Sequence, residues 1–405
     1  MKKNNYQLTM YACFIGYIVQ AIVNNFLPLL FVTFQKTYSI PLTQITLLIT
    51  LNFGIQLVID MLSAGFVDKI GYRASAIIAH VCSAAGLVLL TVLPGAFPDP
   101  FAGILIAVFI YAIGGGLIEV LISPILEACP TDNKEKAMSL LHSFYCWGTV
   151  LVILLSTLSL TLFGKASWRL LACLWAVVPA ANALLFARVP IATLTPTHEG
   201  MALRELFSMK LFWLFVALMV TAGACEQAMS QWASAFAESG LGVSKAAGDL
   251  AGPCLFAALM GLARVFYAKY SERVRLLPFM IGSGALCIGS YLLAALAPVP
   301  LLSLAGCALC GLSVGILWPG VFSIAAAQCP RGGTALFALL ALAGDLGCAG
   351  GPTAVGLVAG VHGDDLKAGL LAAAAFPAVL TLCSVLLQRR IRPQRQSGPG
   401  VKVRP

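Results

Sequence analysis

Gly114–Pro130 reads GGGLIEVLISPILEACP. It closes a long apolar run and carries two carboxylates, Glu119 and Glu127. At helical spacing Gly115, Glu119, Ser123 and Glu127 fall four apart, so they share one face. A glutamate about nine residues inside a helix end lies roughly 13 Å deep, at about 1.5 Å of rise per residue. Placing a charge there costs at least about 2.5–3.5 kcal/mol on insertion scales. Such a residue faces a polar interior, pairs, or holds a proton.

The rest of the chain says what surrounds it. Of 405 residues, 60% are hydrophobic and only 10% charged, and the mean hydropathy is +0.93. Soluble domains carry roughly 25% charged residues, so a soluble fold is excluded. Apolar stretches of about 20 residues recur along the whole chain, each long enough to cross a bilayer as a helix. Twelve are expected, near 8–32, 42–66, 74–94, 101–128, 136–163, 167–188, 211–236, 248–268, 277–297, 300–327, 334–361 and 366–388. The fold class is an all-α membrane protein.

The net charge of +9 is unevenly placed. Lys2, Lys3, Lys69, Arg73, Lys134, Lys136, Arg188, Arg204, Lys210, Lys269, Arg273, Arg275, Arg331 and the basic tail fall in alternate loops. Only Lys36, Lys165, Arg169, Lys245 and Lys367 fall in the loops between. The positive-inside rule puts the loaded face, with both termini, in the cytoplasm of a cell whose inner membrane holds the chain. This topology signal accounts for the basic balance, so no nucleic-acid partner is expected. The 13 cysteines show no zinc spacing. Cys307 and Cys310 sit mid-span and read as small buried packing residues. No metal or cofactor is expected, and no phosphate loop or nucleophile elbow supports enzyme chemistry.

The longest polar connection, Arg188 to Lys210, divides six spans from six. The expected organisation is a six-helix bundle over 1–188, a linker over 189–210, a second bundle over 211–390 and a basic tail over 391–405. The halves repeat weakly. Cys129-Pro130 recurs as Cys329-Pro330 and Gly115 as Gly315, at a constant offset of 200. Parallel six-helix repeats are a standard transporter layout.

The turn GFVDKIGYR (Gly65–Arg73) resembles the loop between the second and third spans of the major facilitator superfamily. Asp68, Lys69, Gly71 and Arg73 match that loop, and Ala64 stands where the family usually has glycine. The resemblance covers nearly the whole chain and implies two pseudo-symmetric bundles that rock about a central site. The fourth span resembles that of fucose-permease-like proton symporters, with Glu119 and Pro124 matching and Ser123 in place of an asparagine. In that branch this glutamate lines the cavity and handles proton or substrate. The branch also places an aspartate late in the first span, where this chain has Asn24 and Asn25. That departure weighs against a two-carboxylate form of proton coupling.

The resemblance further implies that spans one, four, seven and ten line the cavity. Candidate substrate-binding residues are then Gln20, Asn24, Glu119, Glu226, Gln227, Gln231, Trp232 and Trp318. Amides and carboxylates beside indole rings suit a polyhydroxylated or zwitterionic solute. Interhelical packing is the competing role for the amides. Glu119, His142 and Glu226 are candidate proton carriers. Asp60, Gly65, Asp68, Lys69, Gly71, Arg73, Glu127, Arg264 and Asp345 are candidate gate residues. Asp60 and Asp345 are expected on neighbouring helices of the two halves, at different depths. Arg264 is expected to snorkel to, or pair at, the cytoplasmic interface.

The favoured reading is a monomeric secondary transporter for a small polar solute, sugar-like by resemblance, with a proton as co-substrate. Drug or metabolite efflux competes with it and is opposed by a fifth span without the Gly-Pro of drug antiporters. That motif's like, GCAGGPTAVG, lies at Gly347–Gly356 in the eleventh span. Uncoupled facilitation and a sensor that binds its solute without moving it are also compatible with the sequence.

Overall fold

The computed structural model of the protein describes residues 6–130, 134–192, 201, 203–270, 273–329 and 331–396. Among these, twelve helices are long and apolar enough to cross a membrane. They are Tyr6–Tyr38, Leu42–Ser63, Tyr72–Ala96, Pro100–Ala128, Leu140–Phe163, Lys165–Arg188, Lys210–Gly240, Lys245–Tyr267, Leu276–Leu296, Pro300–Gln328, Leu336–Val361 and Leu366–Ile391. The first six pack on one another, as do the last six. The two bundles meet where the second span lies against the eleventh and the fifth against the eighth. Much of the linker, including Pro196, His198 and Glu199, lies outside the described residues, as do the last nine positions.

Several spans are interrupted, and the interruptions have sequence causes. The first is helical over Tyr6–Asn25, tightens to a 3-10 turn at Leu27–Leu30, and resumes at Phe31–Tyr38. Pro28 lies in that turn and donates no backbone hydrogen bond, and the resumed helix carries the span to Tyr38, six residues beyond the expected edge. The seventh breaks at Gln231 and Trp232, and the tenth at Gly315 and Ile316, three residues before Pro319. In a bilayer such breaks survive only where protein or a polar cavity satisfies the freed backbone. That condition is met here. Gln231 donates through Nε2 to the Asn24 carbonyl at 3.0 Å, and Arg264 donates through Nε to the Gly315 carbonyl at 3.1 Å.

The glycine run of the fourth span sets how close its neighbours come. A Cβ on Gly114 would lie 2.5 Å from the Ala79 carbonyl oxygen and 2.7 Å from the Ser83 nitrogen. The third span therefore crosses the fourth backbone to backbone. Gly116 meets the Gln56 backbone of the second span in the same way, while Gly115 faces the Val23 and Gln56 side chains. Gly114→Ala is expected to lower stability by about 1–3 kcal/mol, the range for overpacking a filled core. A fall in the melting temperature of the detergent-solubilised protein measures it.

Gly71 ends the second helix with φ of 84°, a backbone region open to glycine at little cost. Arg73, two residues on, donates through Nη1 to the carbonyls of Phe186 and Ala187 at 2.8 and 3.0 Å. It caps the sixth helix, so its contact lies inside the first bundle. Lys69 is exposed on the same face. The surroundings of Gly65 and Asp68 lie outside what the structure describes.

Candidate transport site

Between the bundles lies a cavity of about 660 Å³. Its wall extends to Lys269 and Ser323, toward the face that carries the basic loops. The opposite face is sealed by contacts between the bundles. Glu238 pairs with Lys165 and Lys36, Thr157 donates to Asp249 at 2.9 Å, and the Thr50 and Thr353 hydroxyls share a hydrogen bond of 2.6 Å. The Phe31 and Trp232 rings meet across the same seam, 5.7 Å apart. The conformer is therefore closed on that face and open toward the basic one.

The face of the fourth span that carries Glu119 and Ser123 builds one wall. Glu119 accepts from Gln20 Nε2 at 3.3 Å, and the same amide donates to Gln56 Oε1 at 3.0 Å. Gln56 in turn donates to Asn24 Oδ1 at 2.9 Å. Ser123, one helical turn from Glu119, shares a 2.9 Å hydrogen bond with the Tyr17 hydroxyl. His142 packs edge-on to the Tyr17 ring at 5.4 Å and also lines the cavity. Gln20 Oε1 is buried without a hydrogen-bond partner, so this amide keeps an acceptor in reserve.

The second bundle supplies the other wall. Glu226, Gln227, Arg264 and Trp318 all line it. Gln227 Nε2 donates weakly to Glu226 at 3.4 Å, while its Oε1 accepts from Ser230 and Gln231. Two sequence candidates are absent from this wall. Gln231 is spent on the Asn24 carbonyl. Trp232 is fully buried and donates to the Pro352 carbonyl at 2.9 Å. Both sit at the helix break, whose altered rotation carries them off the cavity face.

Arg264 is not at the membrane interface, as expected from sequence, but in the cavity wall. Its guanidinium lies 3.8 Å from the Glu226 carboxylate, and the freed Gly315 carbonyl holds it at that depth. Asp60 and Asp345 also sit differently from the expectation of unequal depth. Ligand oxygens of Asp60, Glu119 and Asp345 all lie within 4.8 Å of one another. The second helix runs on to Ile70, past the expected edge, so Asp60 stands ten residues from that end and Asp345 twelve residues from Gly333 at the start of the eleventh helix. Two unneutralised carboxylates at this separation repel by roughly 3 kcal/mol, at an effective dielectric constant of about 20. A proton or cation among them removes the repulsion. Glu127, by contrast, is exposed near the basic end of its helix.

Gln56, Tyr145 and Phe53 line the cavity as well without having stood out in the sequence. Gln56, a lone amide amid an apolar span, carried a signal of the same kind as Gln20.

Residues 12–352 match the family described as the Major Facilitator Superfamily. The chain belongs to this superfamily. It is thus a multi-pass membrane transporter with two pseudo-symmetric six-helix bundles. No curated protein matches it in sequence. Among solved structures, the E. coli fucose:proton symporter is 16% identical, with a TM-score of 0.65 over 94% of this chain and 98% of that one. A D-xylose-proton symporter is 14% identical, with a TM-score of 0.75 over 94% and 97%. A bacterial homolog of the human lysosomal transporter Spinster, inward-facing and unoccupied, is 14% identical, with a TM-score of 0.75 over 96% and 98%. At these identities the likeness is one of fold.

Proposed function

We propose that the protein is a proton-coupled secondary transporter for a small polar, sugar-like solute. It would reside in a cytoplasmic membrane with both termini inside and work as a monomer by alternating access. The observation that carries this reading is the cavity wall. Amides from the first, second and seventh spans line it together with Trp318, and two of its acids, Glu119 and Asp345, gather with Asp60, so that carboxylates from both bundles meet. Hydroxyl groups suit the amides, C–H faces suit the indole, and the three acids offer a place for a proton.

The missing first-span aspartate bears less weight than it does in the sequence alone. Glu119 has acidic neighbours, but they come from the second and eleventh spans. Asp60 and Asp345 belong to different bundles, so loading the cluster with a proton relieves repulsion across the seam between them. Proton occupancy and bundle arrangement are thereby linked, which is what coupling requires. The fold likeness to fucose and xylose symporters supports the same solute class.

In proteoliposomes the solute is expected to accumulate when the outside is acidified and to stop accumulating when a protonophore dissipates the gradient. Uptake indifferent to the gradient would identify an uncoupled facilitator. Absence of counterflow for every solute that binds would identify a sensor.

A further inference from the structure

Arg264 has more donors than strong acceptors. A guanidinium carries five N–H groups. Here Nε is matched by the Gly315 carbonyl at 3.1 Å, but Nη1 faces the Cys146 sulfur at 3.2 Å and Nη2 the Met260 sulfur at 3.9 Å. Sulfur is a weak acceptor. The nearby carboxylate, Glu226 Oε2, stands at 3.8 Å, beyond hydrogen-bond length. The Arg264 side chain retains 20% of its exposure, and that exposure is to the cavity it lines. A planar fork that is held in place yet incompletely matched is built to take an anionic oxygen pair.

We propose that Arg264 is an anion-binding subsite and that the transported solute carries one carboxylate, a sugar acid such as a uronate. This rests on the sugar-like reading above and narrows it. The hydroxyls of such a solute fall to Gln20, Asn24 and Gln227, while its carboxylate takes the guanidinium. Glu226 is the resident counter-ion that the solute's carboxylate displaces. The charge balance selects a monoanion. One arginine, with Glu226 beside it and three further acids elsewhere between the bundles, disfavours a phosphate dianion. Lys269, farther out in the cavity wall, adds positive charge along the approach from the basic face.

The test is a ligand-dependent melting series on the purified protein, at neutral pH and fixed ionic strength. The probes are D-glucuronate, D-galacturonate, their neutral parents D-glucose and D-galactose, D-glucose 6-phosphate, lactate and glutamate. A uronate is expected to bind roughly 10–100-fold tighter than its parent sugar, the range for a hydrogen-bonded charge. Arg264→Gln brings that ratio close to one. Arg264→Lys keeps the charge but not the fork, and retains part of the ratio. Glu226→Gln raises uronate affinity because the competing carboxylate is gone, a change that a structural role for the pair would not produce. Should Arg264→Gln fail to fold, Arg264→Lys and Glu226→Gln decide.

Neutral sugars binding as tightly as uronates, or a preference for the phosphate ester, overturns the proposal and leaves the sugar-transporter reading standing. Lactate or glutamate binding with Arg264 dependence, while no sugar or uronate binds, keeps the anion subsite and removes the sugar reading. A panel with no binding member overturns both.

Discussion

Glu119→Gln abolishes uphill accumulation of solute, while counterflow down a gradient persists. With one proton carried per solute, a pH difference of one unit is worth roughly 1.4 kcal/mol, enough for about tenfold accumulation by the native protein. In the variant, inside and outside concentrations equalise. The substitution conserves size, and the new amide oxygen still accepts from Gln20 Nε2, which bonds the carboxylate at 3.3 Å in the native protein. What is lost is one of the three charges of the acid cluster. Asp60 and Asp345 remain, but the repulsion that a proton relieves is reduced. Uptake driven by a pH gradient, measured beside counterflow in the same proteoliposome batch, separates coupling from translocation. Normal accumulation by Glu119→Gln would assign Glu119 to packing and leave coupling to the Asp60 and Asp345 carboxyls. Loss of counterflow as well would make it a substrate ligand alone.

That glutamate was legible because its cost is a property of sequence. A carboxylate far inside an apolar run needs a polar surround wherever the helix goes, and Glu119, Glu226 and Asp345 all line the cavity. The twelve spans were legible for the same reason, since hydrocarbon thickness fixes helix length. Rotation about a broken helix was not. Gln231 and Trp232 are polar or amphipathic at cavity depth, yet the break between Ser230 and Ala233 turns them onto the Asn24 and Pro352 carbonyls. Trp318 lies just past a comparable break and does reach the cavity. Periodicity carries no information across an interruption, so the two outcomes look alike in the sequence.

The helix end was the second hidden variable. Counting rise per residue from an expected edge near 66 put Asp60 shallower than Asp345, but the second helix continues to Ile70, and the two carboxyls come to within 4.8 Å. Arg264 was misplaced by a related default. A basic residue near a helix end normally reaches for the interface, and only the free Gly315 carbonyl, exposed by the tenth span's break, offers a reason to stay inside. The acids of the sealed face gave a weaker signal still. Asp249 stands five residues into the eighth span, and only the folded chain shows that it is 1% exposed.

Asp249→Ala therefore opens the sealed face. In the closed arrangement Asp249 accepts from Thr157 across the seam at 2.9 Å, from Ser234, and from Lys245. The Lys245 ammonium is 2.8 Å from the carboxylate and 9% exposed. Removing the acid leaves that ammonium with the Ser234 hydroxyl at 3.0 Å. Breaking a buried pair on one side costs about 3–5 kcal/mol. The cost falls on the closed state alone, because water reaches Lys245 once the bundles part. A bias of about 3 kcal/mol moves the ratio of open to closed protein by roughly 100-fold or more. A native reporter lies on the seam. Cys254, 8% exposed, packs in a small apolar cluster with Leu29 and Ile153 of the first bundle. Its alkylation by a membrane-impermeant maleimide added to that face should accelerate in proportion, with Cys254→Ser identifying the adduct by mass. Thr157→Val removes only the cross-bundle hydrogen bond and should accelerate it less. If Asp249→Ala lowers the melting temperature while Cys254 stays as slow to react as in the native protein, the Asp249 cluster stabilises the second bundle and does not govern the seam.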